Sequence, residues 1–347
     1  MTPPGHARER TTDGSAEATR RHGDPIGRRR RVVARAPTRL DFGGGWTDVP
    51  PYSTEVGGTV CCVAIGRCAT VRLGERQSGS PAADEAPPIA RAALRRAGRE
   101  GLTVALDSDF PVGAGLGGSS AVGVALAAAL AELTDERVDR AELAERSRAV
   151  EVGELGVPGG RQDHYAAAFG GALELRFGPG EGTRVTRLPL DAATAAAIER
   201  RCIVAYTGEA RVSGRTITAV LDAYRAREPR VCDALARMAE LATAMAAALG
   251  AGRLDELGRL VGEHWRWQRS LHPAIPTPAI DRLLDRAARA GALGGKALGA
   301  SGGGCIMAIA PDDRVDAVRA ALGAEAELLP FTVDRDGVRV SVSEDTA

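Results

Sequence analysis

The chain has 347 residues, enough for one large or two ordinary domains with a sizeable core. Lysine plus arginine and aspartate plus glutamate both number 45, aromatic residues make up 3%, and no apolar run is long enough for a membrane span, so neither a nucleic-acid partner nor a membrane-embedded chain is expected. The six cysteines, Cys61, Cys62, Cys68, Cys202, Cys232 and Cys305, form no C-x-x-C pair and mostly sit in apolar runs, which predicts buried reduced thiols in a cytoplasmic protein rather than a disulfide frame or zinc site.

Residues 1–30 are rich in Arg, Gly, Thr and Pro and lack apolar periodicity; they read as a disordered basic extension without the apolar segment of a signal peptide. Val32-Val33-Ala34 opens the fold as a strand, and Thr59–Ile65 and Ala69–Leu73 are β-rich. A surface loop runs from Ser78 to Pro88. Leu102–Leu106 alternates as a strand and leads through Asp109-Phe110-Pro111 into a glycine loop. Helices are expected at 119–133 and 141–154, strands at 170–177 and 202–207, and a helical stretch from about 214 to 290. A strand at 304–309, a helix at 313–323 and two closing strands complete an α+β pattern.

The stretch from Pro111 to Ser120, P-V-G-A-G-L-G-G-S-S, followed by an Ala/Leu-rich helix, carries the strongest chemical signal. Glycines let backbone N–H groups approach an anion, and a helix start adds donors and a positive dipole end. Gly113, Ala114, Gly115, Leu116, Gly117, Gly118, Ser119 and Ser120 are therefore the candidate polyphosphate cradle. The loop lacks the lysine of a Walker A sequence. It matches G-x-G-x-x-G literally from Gly113 to Gly118 but does not open a run of βαβ units, which argues against a dinucleotide fold.

The loop resembles the central motif of the GHMP kinases, the superfamily of galactokinase, homoserine kinase and mevalonate kinase. Ala34–Asp48 (A-R-A-P-T-R-L-D-F-G-G-G-W-T-D) is similar to that family's first motif, and Gly294–Cys305 (G-G-K-A-L-G-A-S-G-G-G-C) to its third. The three motifs span positions 34 to 305 in order. The resemblance implies the two-domain GHMP kinase fold, an N-terminal domain like ribosomal protein S5 domain 2 (31–195) and a ferredoxin-like C-terminal domain (196–347), with ATP and Mg²⁺ in the cleft. A monomer or homodimer acting on a small sugar or sugar phosphate is expected.

The resemblance also suggests roles. Asp163, after a glycine turn and at the start of an apolar helix, is the candidate base that accepts the acceptor hydroxyl's proton. Its alternative is a carboxylate favouring a helix start. Arg39 occupies the family's early basic position, where its fixed charge would stabilise the transferring phosphoryl group. Ser119 and Glu151 are the expected Mg²⁺ ligands; Glu154 competes with Glu151 for that part, and spacing to Gly160 favours Glu151. Asp48 is expected to accept sugar hydroxyls, or else to cap its own turn before Pro50-Pro51, and Trp46 to stack on a sugar face or on the loop. Galactokinase carries an acidic residue and a histidine where Gly45 and Trp46 stand, which argues against galactose. Gly302, Gly303, Lys296 and Arg211 complete the expected substrate site. Lys296 is the one lysine in the chain; it, Arg211 and Arg215 are the candidate cations for a substrate that already bears a phosphate.

At finer grain, 35–45, 162–171, 263–265 and 291–296 resemble the D-glycero-D-manno-heptose 7-phosphate kinases and, next, the L-fucokinases. Both phosphorylate the anomeric C1 hydroxyl for nucleotide-sugar biosynthesis. A GHMP-fold regulator without catalysis is the alternative of another class, and the retained base, cradle and metal ligands argue against it. His264 and Gln268, one helical turn apart, are expected to pack in the C-terminal helices or contact the cleft from a distance.

Overall fold

The computed structural model describes residues 29–75, 86–209 and 213–345, which build two sheets and three contiguous apolar cores. The first strand, β1 (Arg29–Gly43), begins two residues inside the expected basic extension; residues 1–28 lie outside the described part. It pairs antiparallel with β2 (Gly58–Glu75), which joins the two expected β-rich runs into one strand. The short α1 (Tyr52–Glu55) lies between them. Pro88 does not end a loop but opens α2 (Pro88–Arg96), because proline's missing N–H costs nothing in the first turn.

β3 (Leu102–Ser108) runs into the glycine loop and α3 (Gly118–Leu133). The helix expected over 141–154 divides. α4 (Arg140–Arg148), capped by the Asp139 side chain, gives way to a π-helical turn at Ala149–Glu154. Then come α5 (Gln162–Phe169), β4 (Ala172–Gly178) and β5 (Glu181–Arg187). Alternating residues of β1 (Val32, Ala34, Ala36) pack with the Ala-rich face of α3 and with Ala166–Ala168 of α5 in the first core. Past a register shift at Pro37/Thr38, Leu40 and Phe42 enter a second core shared with the C-terminal domain.

The C-terminal domain runs through α6 (Ala192–Arg201), β6 (Cys202–Tyr206), α7 (Ser213–Arg225), α8 (Pro229–Gly250), α9 (Leu254–Ser270) and α10 (Pro278–Arg289). It continues with β7 (Gly294–Ala297), β8 (Cys305–Ile309), α11 (Val315–Gly323) and β9 (Glu327–Leu328), in the strand order β7-β8-β6-β9. α10 shows how local sequence makes these helices. Thr277 caps it, Pro278 fills its first position, and Ala279, Ile280, Leu283 and Ala287 form one buried stripe. β10 (Arg339–Asp345), expected to close the C-terminal domain, instead returns to pair with β1, so the last strand belongs to the first sheet. The six cysteines are free thiols, five of them buried. No described helix is long and apolar enough to cross a membrane.

Candidate active site

One cavity opens where the glycine loop, the π-helical turn and the start of α5 face the C-terminal domain. Arg39, Trp46, Asp48, Ser119, Ser120, Glu151, Gln162, Asp163 and His164 line it from one side, and Ile217, Gly299 and Ala300 from the other. In the loop, Gly113, Gly115 and Gly117 have φ of +73°, +79° and +79°, the left-handed region that glycine enters without strain. The third glycine block backs the loop. Cys305 N–H donates to the Ala114 carbonyl at 2.8 Å, and a Cβ on Gly115 would stand 2.6 Å from the Leu298 carbonyl oxygen. The first N–H groups of α3 have no partner one turn back, so this end of the helix offers donors and positive dipole to an anion.

Asp163 sits in the first turn of α5, where Arg39 grips it. Arg39 Nε and Nη2 stand 2.8 and 2.7 Å from Asp163 Oδ1, while Nη1 donates to the Gly115 carbonyl at 2.7 Å. Arg39 is 1% exposed. Burial works against its charge, but the carboxylates of Asp163 and then Asp41 outweigh it and raise its pKa. The Asp163 side chain remains 23% exposed, on the cavity. One guanidinium thus ties the candidate base to the glycine loop.

Asp48 reaches from the loop after β1 to α5. Its Oδ2 accepts the N–H groups of Arg161 (2.8 Å) and Gln162 (3.0 Å), so it caps α5 from a distance rather than its own turn. Gly160 makes room for it, since a Cβ there would lie 1.9 Å from Oδ2. Burial pushes the Asp48 carboxyl up to about 6; the Gln162 N–H opposes this and the Asp163 charge adds to it. Its Oδ1, Gln162 Oε1 and Trp46 Nε1 are buried on the cavity wall without a protein hydrogen-bond partner. An unpaired buried polar atom costs about 1–3 kcal/mol, so three on one wall mark a place for a hydroxyl-bearing ligand. Trp46, at φ +84°, faces the cavity and also packs in the core with Tyr52 and Trp265.

The π-helical turn separates the two competing glutamates. Glu151 faces the cavity, where Ser120 Oγ donates to its Oε2 at 2.9 Å and His164 Nε2 lies 3.3 Å from the same oxygen; Glu154 points away to Arg96. Ser147 Oγ meets the other nitrogen of His164 at 2.9 Å, which orients the ring. The hydroxyl beside Glu151 is therefore that of Ser120, not the expected Ser119, which is exposed at the cavity mouth. The described residues gather no group of three His, Cys, Asp or Glu for a metal. The donors at hand, one carboxylate and hydroxyls beside a phosphate cradle, suit Mg²⁺, which keeps waters and takes phosphate oxygens as ligands.

Three expected substrate ligands fall elsewhere. Lys296 is 0% exposed, and its ammonium is spent on Asp41, 2.8 Å from Oδ2 and 3.0 Å from the backbone carbonyl. It does not line the cavity, so it is not placed to meet a substrate phosphate there. Gly302 and Gly303 do not line the cavity; Gly302 N–H donates to the Ile275 carbonyl, and Gly299 and Ala300 form the wall instead. Arg211 lies outside the described residues.

The sequence reading missed Asp41 and Gln162. Asp41 shares a face of β1 with Arg39 by the strand period of two. Burial raises its carboxyl, but Lys296 and then Arg39 outweigh that and hold it below the ordinary range. His264 accepts the Gly44 N–H at 2.9 Å through Nε2, and Gln268 Nε2 donates to the Gly299 carbonyl at 3.0 Å. The visible signal was their one-turn spacing, which puts both on the side of α9 facing the cleft.

Residues 86–171 match the model of the GHMP kinases N terminal domain and 245–328 that of the GHMP kinases C terminal domain. The chain is 28% identical to the bifunctional fucokinase/GDP-fucose pyrophosphorylase of Arabidopsis thaliana over 88% of its own length and 32% of that protein's. It is 24% identical to the D-glycero-alpha-D-manno-heptose 7-phosphate kinase of Campylobacter jejuni over 89% of its length and 98% of that protein's. The crystal structure of a D-glycero-D-manno-heptose 1-phosphate kinase from Bacteriodes thetaiotaomicron superposes with a TM-score of 0.73 at 25% identity, covering 89% of this chain and 98% of that one. The chain spans only about a third of the fucokinase-type relatives' length.

Proposed function

Because this chain belongs to the GHMP kinases, we propose that it is an ATP-dependent sugar kinase that phosphorylates the anomeric C1 hydroxyl of D-glycero-D-manno-heptose 7-phosphate. The observation that carries the reading is the Arg39–Asp163 pair, in which two guanidinium nitrogens meet Asp163 Oδ1, anchored on the glycine loop and facing unpartnered polar atoms of Asp48, Gln162 and Trp46. Similarity over nearly the full length of heptose phosphate kinases supports the choice of sugar.

With the acceptor hydroxyl between Asp163 and the loop, Asp163 takes its proton as the oxygen attacks the γ-phosphorus of ATP and the bond from that phosphorus to the ADP oxygen breaks, a contribution of about 10²–10⁴ in rate. Arg39 holds that carboxylate in place and keeps positive charge beside the developing phosphoryl oxygens. Asp48 Oδ1 and Gln162 Oε1 accept further sugar hydroxyls and set the ring's orientation. Glu151 and Ser120 would hold Mg²⁺ through their side-chain oxygens, and the ion would supply positive charge for the phosphate.

A second reading, a kinase of an unphosphorylated sugar such as L-fucose, has its own observation. Among the described residues lining the cavity, Arg39 is the one charged cation, and it is committed to Asp163. The test is ADP release with Mg-ATP and a panel of free sugars and sugar phosphates, followed by ³¹P NMR of the product. Turnover of a heptose 7-phosphate well above any free sugar supports the first reading, equal or better use of L-fucose supports the second, and no turnover with any sugar rejects both.

A further inference from the structure

Lys296 comes from β7 of the C-terminal domain and ends inside the N-terminal one, 0% exposed, with its ammonium on Asp41 of β1. Asp41 stands two residues from Arg39 on the same strand face. The buried charges therefore alternate: Lys296, Asp41, Arg39, Asp163. The two ends are hydrogen-bonded pairs, and the strand period sets Asp41 and Arg39 on one face of β1 between them. Asp41 also lies under the substrate turn, for a Cβ on Gly45 would be 2.5 Å from its Oδ2. If Lys296 were absent, the buried Asp41 carboxylate would have Arg39 as its nearest counter-charge, and Asp163 would lose its partner. The compact ammonium reaches both the carbonyl and Oδ2 of Asp41, a contact that arginine's planar fork does not reproduce in the same geometry.

We propose that Lys296 is a positioning residue for phosphoryl transfer: by neutralising Asp41 across the domain boundary it leaves Arg39 to Asp163 and holds the Gly43–Trp46 turn under the sugar. This rests on the kinase reading above and adds to it a required contact from the C-terminal domain. It also gives the single lysine a role apart from substrate phosphate, because the ammonium never reaches the cavity.

The experiment compares Lys296→Met, Lys296→Arg, Asp41→Asn and the double variant Lys296→Met/Asp41→Asn by melting, by steady-state kinetics and by crystal structures. Kinetics use Mg-ATP and whichever sugar of the panel the wild type turns over. Lys296→Met is expected to lower kcat and raise the sugar KM, together at least about thirtyfold in kcat/KM, with the ATP KM changed less than about threefold. The double variant, with no buried charge left unmatched, should recover at least about tenfold over Lys296→Met, a coupling beyond additivity. In the Lys296→Met structure Arg39 should leave Asp163 for Asp41. Where Lys296→Met is too unstable to isolate, the double variant decides, since it should fold and keep an intact Arg39–Asp163 pair. Wild-type kinetics in folded Lys296→Met, an additive double variant, or an unmoved Arg39 would overturn the proposal. The kinase reading fails separately, if the wild type uses no sugar, and the structures then still decide the role of Lys296.

Discussion

Asp163 and Asp48 show how position decides the role of the same side chain. Asp163 keeps part of its carboxylate open to the cavity, within reach of an acceptor hydroxyl, while Arg39 holds it in place. Asp163→Asn should lower kcat at least about a hundredfold while calorimetry shows unchanged Mg-ATP binding; near-wild-type turnover would leave Asp163 as a helix-start residue. Asp48 is buried with a carboxyl pushed up to about 6, so below that pH it takes a proton and loses acceptor strength. Its contribution to sugar binding is present above about pH 6 and lost as pH falls through it. A pH profile of kcat/KM for the sugar should show this acidic limb, and Asp48→Asn should lack it at a lower plateau. The two glutamates separate in the same way. Glu151→Gln is expected to raise the Mg²⁺ concentration needed for half-maximal rate, whereas Glu154→Gln, which only loses an exposed pair with Arg96, should not.

At the scale of elements, the site is an arrangement of ends. The N-terminus of α3 meets the glycine loop, that of α5 carries the candidate base, and a π-helical turn aims Glu151 inward. Close approach between ends is what the glycines permit. A Cβ on Gly117 would lie 2.9 Å from Asp163 Cγ, at a φ of +79° that already disfavours any side chain. Gly117→Ala should therefore move Asp163 off Arg39 and lower kcat about tenfold or more, and it should cost about 1–3 kcal/mol of stability from the backbone strain. Kinetics and denaturant titration read the two effects separately; unchanged kcat would mean that the loop yields without disturbing the base.

Across the whole molecule, the two domains share the second core and a set of buried polar links that cross between them. Lys296 binds Asp41, His264 holds the Gly44 N–H, and Cys305 N–H holds the Ala114 carbonyl. A buried ion pair adds little net stability, but removing one partner typically costs about 3–5 kcal/mol because the other charge stays buried. These links therefore bear more on the fit of the domains than on overall stability. His264 adds a pH dependence. Burial, with the Lys296 charge second, pushes its pKa down to about 3 against an ordinary 6.5. The unfolded chain binds a proton as pH falls through 6.5 and the folded chain does not until near 3. The stability this residue contributes is thus full above pH 6.5 and lost progressively towards pH 3. The drop in melting temperature from pH 7.5 to 5.0 should be smaller in His264→Gln than in the wild type; an equal drop would assign the acid sensitivity to other groups.

Much of this was legible along the chain, because some constraints are local. A phosphate loop needs glycines and a helix start in consecutive positions, so 111–120 announced itself, and the apolar run after Asp163 marked the helix that carries the base. α10 could be read from its cap, its proline and its stripe. Other features depend on partners far away in the chain. β7, with the sequence Gly-Gly-Lys-Ala, has little strand preference and is a strand because β8 pairs with it. β10 closes the first sheet because β1 has an open edge. Ser120 rather than Ser119 meets Glu151 because Ser120 lies on the buried face of α3 and Ser119 on the exposed one. Lys296 looked like a substrate ligand because a lone lysine among arginines suggests chemistry; burial against Asp41 took it out of the cavity. Local backbone preference is written residue by residue, whereas the partner of a long side chain depends on which distant strand happens to pack beside it.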